Sequence, residues 1–177
     1  MKKFLMATLF LLSTAIALAA NFSKPILLTS VGQSADVQMV KALLKKGGLE
    51  ANFNKSVTAE QIKDEQTLIL AIGGSSKGLG AAGIKAEDEI ARTEALIKAA
   101  KDKGMKIIGM HIGGAARRGE LSDKFVYAAA PYSDYLIVVK EGNKDGAFTK
   151  ISTDNNIPMD TVEKITGALD PLKKAFE

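Results

Sequence analysis

The sequence predicts an α/β domain in which about five parallel strands form a single doubly wound, flavodoxin-like or Rossmann-like three-layer sandwich. Two observations predict this class. Short apolar runs alternate along the chain with segments of helical periodicity, and most of the apolar runs end at glycine or another turn residue. Alternation of this kind implies right-handed crossovers between parallel strands, with helices on both faces. Five such strands most often take the order 2-1-3-4-5.

Five segments have the composition of strands. The first and third are almost wholly apolar, as expected of strands buried on both faces, whereas the second is short and polar. In chain order, the predicted strands are 26–31, 50–57, 67–73, 105–112 and 135–140.

Helices are predicted between these strands from apolar residues at helical spacing and from turn residues at the ends. Asp36 can cap the first helix, which a glycine pair at 47–48 ends. A long glycine-rich loop, 73–85, precedes the strongest helical pattern. The remaining predicted helices are a turn at 58–63, the long helix 86–103, a helix that Ser122 caps and Pro131 ends, and two or three short helices after residue 146 with Val162, Ile165 and Leu169 as apolar positions.

The N-terminal residues have the pattern of a secretory signal. Lys2 and Lys3 form a basic end, an uncharged apolar stretch follows, and residues 17–19 (Ala-Leu-Ala) match a small-x-small cleavage site. We therefore expect a signal peptide at 1–19 and a single α/β domain at 20–177. The alternative is an uncleaved anchor, but the apolar run is shorter than the roughly 18 residues usual for a membrane span. The prediction is an exported protein, periplasmic or extracellular, without a span after cleavage.

Composition excludes several classes of function. The chain has no Cys, which excludes disulfides, cysteine metal ligands and a thiol nucleophile. The formal net charge is +4, and two of the positive charges lie in the predicted signal, so nucleic-acid binding has little support. One His and scattered carboxylates such as Asp36, Glu87 and Asp88 give equally little support to a metal site. Nucleotides are not ordinarily available outside the cytoplasm, so we expect no cofactor.

Residues 78–83 formally match the dinucleotide motif G-x-G-x-x-G. The match is weak, because it lies several residues beyond its strand, follows the third strand, and has no acidic residue after the next strand to bind a ribose. The phosphate-loop pattern fails as well, since Leu79 occupies the position of the required Lys. Both nucleotide interpretations are rejected.

A ligand site is expected outside the carboxyl ends of the strands, where the winding reverses between the first and third strands. Glycine-rich loops there allow close approach of a ligand, and backbone N–H groups with basic side chains favour an anion. The predicted binding residues are Gly32, Gln33, Ser34, Gly73, Gly74, Ser75, Ser76, Lys77, Gly78, His111, Gly113, Gly114, Arg117 and Arg118. The leading hypothesis is a non-catalytic binding domain for a small anionic solute, with a transporter or sensor protein of the cell envelope as a possible partner.

The same residues also have structural explanations. Glycines form tight turns in compact sheets, and Arg117 and Arg118 can form surface ion pairs with Glu120 or Asp123. His111 closes the fourth predicted strand, where a satisfied structural histidine is common.

Two other functions remain open. One is a small serine-type hydrolase, although no G-x-S-x-G motif is present. Its residues would be Ser34, Ser75 or Ser76 as nucleophile, His111 as base and Asp36 as the acid that orients the base. The other is a protein-interaction module of the cell envelope, which needs no small ligand.

Four stretches of the chain resemble a known family. They are LLTSVGQSADVQMVK at 27–41, LAIGGSSKGLGAAGI at 70–84, GMHIGGAARRGELSDKF at 109–125 and YLIVVKEGNKDGAFTKI at 135–151. These stretches resemble an exported bacterial family catalogued as a domain of unknown function. The resemblance covers nearly all of the chain after the predicted signal and implies an extracytoplasmic α/β domain. It supplies no activity, so no catalytic residue can be carried over.

Overall fold

Six parallel strands form one sheet in the computed structural model, which describes residues 22–177. The strands are β1 (Ile26–Val31), β2 (Ala51–Phe53), β3 (Thr67–Ile72), β4 (Lys106–His111), β5 (Tyr135–Val139) and β6 (Met159–Val162). Their spatial order is β2-β1-β3-β4-β5-β6, and each neighbouring pair is parallel. The predicted α/β class and the predicted order of the first five strands are confirmed. The predicted signal at 1–19 lies outside the described residues.

Helices cover both faces of this sheet. They are α1 (Asp36–Lys46), α2 (Ser76–Ala82), α3 (Ala86–Asp102), α4 (Glu120–Ala129), α5 (Ala147–Asn155) and α6 (Leu169–Lys174). Buried residues of α1 and α6 pack in one apolar cluster, and those of α2 to α5 pack in the other. Within residues 22–177, no helix is both long enough and apolar enough to span a membrane.

The central strand β3 shows why the sheet is buried on both faces. Its sequence is TLILAI, and all six residues are buried. Leu68 and Leu70 pack in the cluster with α2 to α5, whereas Ile69 packs in the cluster with α1 and α6. Side chains alternate between the two faces of a strand, so an apolar residue is needed at nearly every position. Full burial of each such side chain contributes about 1.5–3 kcal/mol.

The predicted loop 73–85 contains the helix α2. Ser75 caps this helix, since its Oγ accepts a hydrogen bond from the backbone N–H of Gly78 at 3.0 Å. Gly83 ends the helix in the left-handed conformation, with φ of +67°. The prediction of an irregular loop was wrong because two glycines within the helix weakened the helical pattern, whereas capping by Ser75 and packing of Leu79 stabilise the helix.

Three other predictions need correction. Residues 159–162 form the edge strand β6 and not a helix, so Val162 belongs to a strand. The second predicted strand is shorter than expected, with only Ala51–Phe53 paired to β1. Ser122 lies inside α4 instead of capping it. Its hydroxyl has a tertiary partner, because Oγ accepts a hydrogen bond from the N–H of Gly74 at 3.1 Å.

Candidate functional site

The winding of the sheet reverses between β1 and β3, and the loops after these strands meet there. They are hydrogen-bonded to each other: the N–H of Ser75 donates to the carbonyl of Gly32 at 2.9 Å, and Gln33 forms an isolated bridge with Gly74. The structure therefore brings together the residues predicted from these two loops. It packs them closely, and Gly32, Gln33, Ser34, Gly73 and Gly74 are all buried.

Arg117 forms an ion pair with Asp36 across this region. Its Nε donates to the two carboxylate oxygens of Asp36 at 3.2 and 3.3 Å. The side chains are 28% and 15% exposed, respectively, so the pair lies at the surface of the site. Asp36 is the first residue of α1 and not its cap, because Ala35 occupies the N-cap position.

Two of the predicted glycines make room for this ion pair. A Cβ on Gly113 would lie 2.1 Å from Cγ of Arg117 and 2.3 Å from Oδ2 of Asp36. A Cβ on Gly73 would lie 3.2 Å from the same carboxylate oxygen. Real Cβ atoms do not lie this close to other atoms. Any larger residue at position 113 would therefore displace the Arg117 side chain. Gly73 and Gly113 are therefore explained by side-chain packing.

The terminal amino groups of Arg117 have no protein partner among residues 22–177. Only Nε takes part in the hydrogen bonds to Asp36, and Nη1 and Nη2 take part in none. A guanidinium has five N–H donors in a planar fork, and four of these belong to the terminal nitrogens. The ion pair thus fixes one edge of the guanidinium and leaves its bidentate edge free.

Arg118, the next residue, is fully engaged by the protein. Its Nε donates to Asp123 at 2.7 Å, and Nη1 and Nη2 donate to the two carboxylate oxygens of Asp145 at 2.9 and 2.8 Å. Nη1 also donates to the carbonyl of Gly142, and the guanidinium lies 5.6 Å from the ring centre of Phe148. The hydrogen bonds to Asp145 and Asp123 raise the pKa of Arg118 above its ordinary value. Arg118 therefore has a structural role. Its ion pair with Asp123 is one of the structural explanations that the sequence left open.

The Arg118 pair predicts a measurable change at Asp145. The hydrogen bonds from Arg118 are the largest cause that lowers the pKa of Asp145 to about 2. Because this pKa lies below its ordinary value, the pair stabilises the fold at neutral pH, and this stabilisation is lost as the pH falls from about 4 towards 2. In the variant Arg118→Gln, we expect the pKa of Asp145 to rise most of the way to its ordinary value, with the N–H of Ala147 still donating to it. NMR titration of the carboxyl carbon measures this.

Arg117→Gln is the matched control, since Arg117 does not contact Asp145. It should leave the titration of Asp145 unchanged. An equally low pKa in the Arg118→Gln protein would contradict the assignment.

His111 is buried at the end of β4, and both of its ring nitrogens face backbone carbonyls. Nδ1 lies 3.0 Å from the oxygen of Ile72, and Nε2 lies 3.3 Å from the oxygen of Gly114. Its ring packs 4.8 Å from that of Phe148, and a Cβ on Gly142 would lie 2.4 Å from the imidazole. Burial lowers the pKa of His111, and this effect outweighs that of the two facing carbonyls, which favour the protonated ring. This environment is that of a structural histidine.

The three candidate serines have separate roles. The buried Ser34 accepts a hydrogen bond from the N–H of Asp36 at 3.3 Å, and Ser75 caps α2. Ser76 is exposed at the start of the same helix. Among the hydrogen bonds of residues 22–177, none joins a serine to His111, and Asp36 is paired with Arg117. The parts that the hydrolase alternative requires are therefore not assembled.

The remaining predicted residues lie on α2 and beside it. Lys77 is exposed and forms no ion pair with any other described residue. Gly78 packs directly against the backbone of Gln33. The described part of the chain contains no group of three or more His, Asp or Glu residues that could hold a metal ion.

Sequence reasoning missed a buried ion pair beneath the first loop. Glu89 is fully buried and accepts hydrogen bonds from the N–H of Gly32 at 3.0 Å and from Nε2 of Gln33 at 3.1 Å. Arg92 donates to Glu89 through Nε at 2.8 Å and through Nη2 at 2.7 Å. The detectable signal was the position of Glu89, which lies four residues before the buried Thr93 and so on the inward face of α3.

Two grooves lie away from the strand-end loops, at the β2 edge of the sheet. One has a volume of about 710 Å³ and is bordered by Lys24, Lys41 and Lys45. The other has a volume of about 490 Å³, and Leu27 and Val57 contribute to its lining. Sequence reasoning did not anticipate either groove.

Comparison with known proteins identifies a family model that matches residues 23–176 and is described as a domain of unknown function (DUF6305). None of the curated proteins matches the chain. Among solved structures, an esterase from Pseudoalteromonas sp. is 16% identical, with a TM-score of 0.36 over 77% of this chain and 75% of that one. A GDSL-like lipase from Bacteroides thetaiotaomicron is 10% identical, with a TM-score of 0.38 over 88% and 84% of the two chains. Likenesses this distant transfer no activity to this chain.

Proposed function

Since the chain belongs to the family of domains of unknown function DUF6305, whose description carries no activity, we propose its function from the site itself. The protein is a non-catalytic binding domain for a small anion, a carboxylate or a phosphate. The anion binds at the winding reversal of the sheet, on the free edge of the Arg117 guanidinium.

The observation that carries this proposal is the unequal use of two adjacent arginines. Arg118 is saturated by Asp123, Asp145 and a carbonyl, whereas Arg117 has one edge on Asp36 and two terminal nitrogens without a protein partner among residues 22–177. An ion pair that uses Nε alone orients the guanidinium before a ligand arrives, which reduces the entropy lost on binding. The exposed edge then matches the two oxygens of a carboxylate or phosphate.

Other groups of the site support an anion over a cation or a neutral solute. Lys77, which forms no ion pair within residues 22–177, adds a positive charge on the helix that follows the β3 loop. The charge of Asp36 is already offset by the Nε side of Arg117 and by its position in the first turn of α1. Export and an envelope partner belong to the same proposal, and their support is the N-terminal sequence pattern alone.

The proposal predicts that one anion class stabilises the protein and that Arg117→Gln strongly reduces the effect. Thermal unfolding against carboxylates, phosphates and sulfonates identifies the class, since a ligand at a hundredfold excess over Kd stabilises the fold by roughly 2.7 kcal/mol. Calorimetric titration should then show a loss of affinity of roughly tenfold to a hundredfold in Arg117→Gln, because a hydrogen bond to a charged group contributes about 1.5–3 kcal/mol. Arg117→Lys should lose part of the affinity, since it keeps the charge and lacks the fork.

Arg118→Gln is the matched control. It should lower the free energy of unfolding, because it removes the partners of Asp123 and Asp145, and leave anion affinity within about twofold. The proposal fails if no anion raises the unfolding temperature, or if Arg117→Gln binds the anion as tightly as the parent protein.

A further inference from the structure

We propose that the β2 edge of the sheet binds an extended peptide as an added strand, with acidic and apolar side chains alternating along it. This surface consists of β2 and the two grooves beside it, and it is independent of Arg117.

The first support is the backbone of β2. The N–H of Asn54 donates to the carbonyl of Leu28 on β1. Backbone groups alternate in direction along a strand, so the N–H and C=O groups of Ala51 and Phe53 face away from β1. Within residues 22–177, β1 is the only strand paired with β2, and no loop or turn hydrogen bond uses these four groups. They form an unpaired edge able to accept another strand.

The second support is that a groove lies on each face of this edge. The groove of about 710 Å³ is on the α1 face and includes Leu44 in its lining, and the groove of about 490 Å³ is on the opposite face and includes Leu27 and Val57. Successive side chains of a strand point to opposite faces. An added strand would therefore place alternate side chains in the two grooves, which accounts for both grooves and for the free backbone groups together.

The third support is charge. Lys24, Lys41 and Lys45 border the α1-face groove, with Glu50 as its acidic residue, and none of the ion pairs among residues 22–177 involves these lysines. Nζ of Lys41 lies 4.5 Å from the ring centre of Phe53. Acidic side chains are the complementary occupants of this groove. The groove on the other face is lined by Leu27 and Val57 together with amide side chains and with Glu60, Lys63 and Glu65, so acidic side chains are disfavoured there and uncharged ones such as valine fit.

The same charges argue against a second copy of this chain as the occupant. Two such edges would bring the lysines of both copies together, and like charges at an interface oppose association. Lysines that protect an edge usually lie on the edge strand itself. Here they lie before β1 and on α1, and the β2 sequence Ala-Asn-Phe contains neither Lys nor Pro. The edge thus stays open to a partner of opposite charge.

The test uses the purified chain and a fluorescent ten-residue peptide of alternating Glu and Val. We expect binding by anisotropy, weakened at least tenfold when Lys replaces Glu in the peptide or when the protein carries K41Q/K45Q. Ala51→Pro should also abolish binding, because proline removes one outward N–H and leaves the β1 ladder intact. Ala51→Val keeps that N–H and should retain binding that Ala51→Pro loses, although its added methyl groups border the α1-face groove. Hydrogen exchange should show the amides of Ala51 and Phe53 protected only in the complex.

The peptide-binding and hydrogen-exchange results on the parent protein test the proposal even if the Ala51→Pro protein does not fold. Absence of peptide binding, or binding without protection of the two amides, overturns the proposal. Preferential binding of lauric acid to the α1-face groove would make it an amphiphile site and overturn it too. Self-association through this edge, detected by sedimentation and abolished by Ala51→Pro, would do the same. Anion binding at Arg117 should persist in all β2 variants, so the failure of either proposal leaves the other standing.

Discussion

Replacing Glu89 with alanine is expected to lower the free energy of unfolding by roughly 3–5 kcal/mol, the usual cost of removing one partner from a buried ion pair. The substitution leaves the guanidinium of Arg92 without its carboxylate in a position where that side chain is 12% exposed. It also removes the acceptor of two further donors, the N–H of Gly32 and the side-chain amide of Gln33. These lost hydrogen bonds place the expected loss within this range and not below it, because a buried donor left without an acceptor costs about 1–3 kcal/mol.

Urea denaturation measures this loss, and two further variants identify its cause. The double variant E89M/R92M should recover much of the stability, since replacing both members of a buried pair by apolar side chains is often neutral or stabilising. Glu94→Gln, at an exposed position of the same helix, should change the stability little. A loss of stability as small for Glu89→Ala as for Glu94→Gln would show that the buried pair does not stabilise the loop.

The central sheet could be predicted because its signals are local. The six buried residues of β3 are contiguous in the sequence, so an apolar run is sufficient to identify the strand. The helix α2 could not be predicted in this way, since its glycines lower helical propensity and its stability depends on Leu79 in the core and on the Ser75 cap. The edge strand β6 was not predicted, for a related reason. Half of it is exposed, so its short sequence carries little of the alternation that identifies strands.

The candidate site could be predicted as a location but not as a set of contacts. The topology places the loops after β1 and β3 together, as expected at a reversal of winding. Which of two adjacent arginines remains free depends on Asp36, Asp145 and Asp123, and two of these lie far from Arg117 and Arg118 in the sequence. Long-range side-chain pairing of this kind leaves no periodic pattern. The burial of Glu89, in contrast, has a local signal, because helical spacing places this charge on the inward face of α3.

Replacing Gly78 with alanine is expected to lower the free energy of unfolding by roughly 3 kcal/mol, at the upper end of the range for inserting an atom into a packed region. The added Cβ would lie 2.0 Å from the carbonyl oxygen of Gln33 and 2.9 Å from its carbonyl carbon. Gln33 has little freedom to move away. It has a φ of +59°, and its side-chain amide donates to the buried Glu89. The strain must therefore be relieved by displacing α2 or the β1 loop.

Gly80→Ala in the same helix is the matched control, and we expect it to stabilise the protein by roughly 0.5–1 kcal/mol. Its Cβ would meet no atom within 4 Å, and alanine has the higher helical propensity. Urea denaturation of the two variants compares them directly, and equal effects would contradict the packing account of Gly78. The opposite signs separate the glycines of the G-x-G-x-x-G match by role. Gly78 permits contact with Gln33, Gly80 is replaceable, and Gly83 ends the helix, so each glycine is explained without a nucleotide.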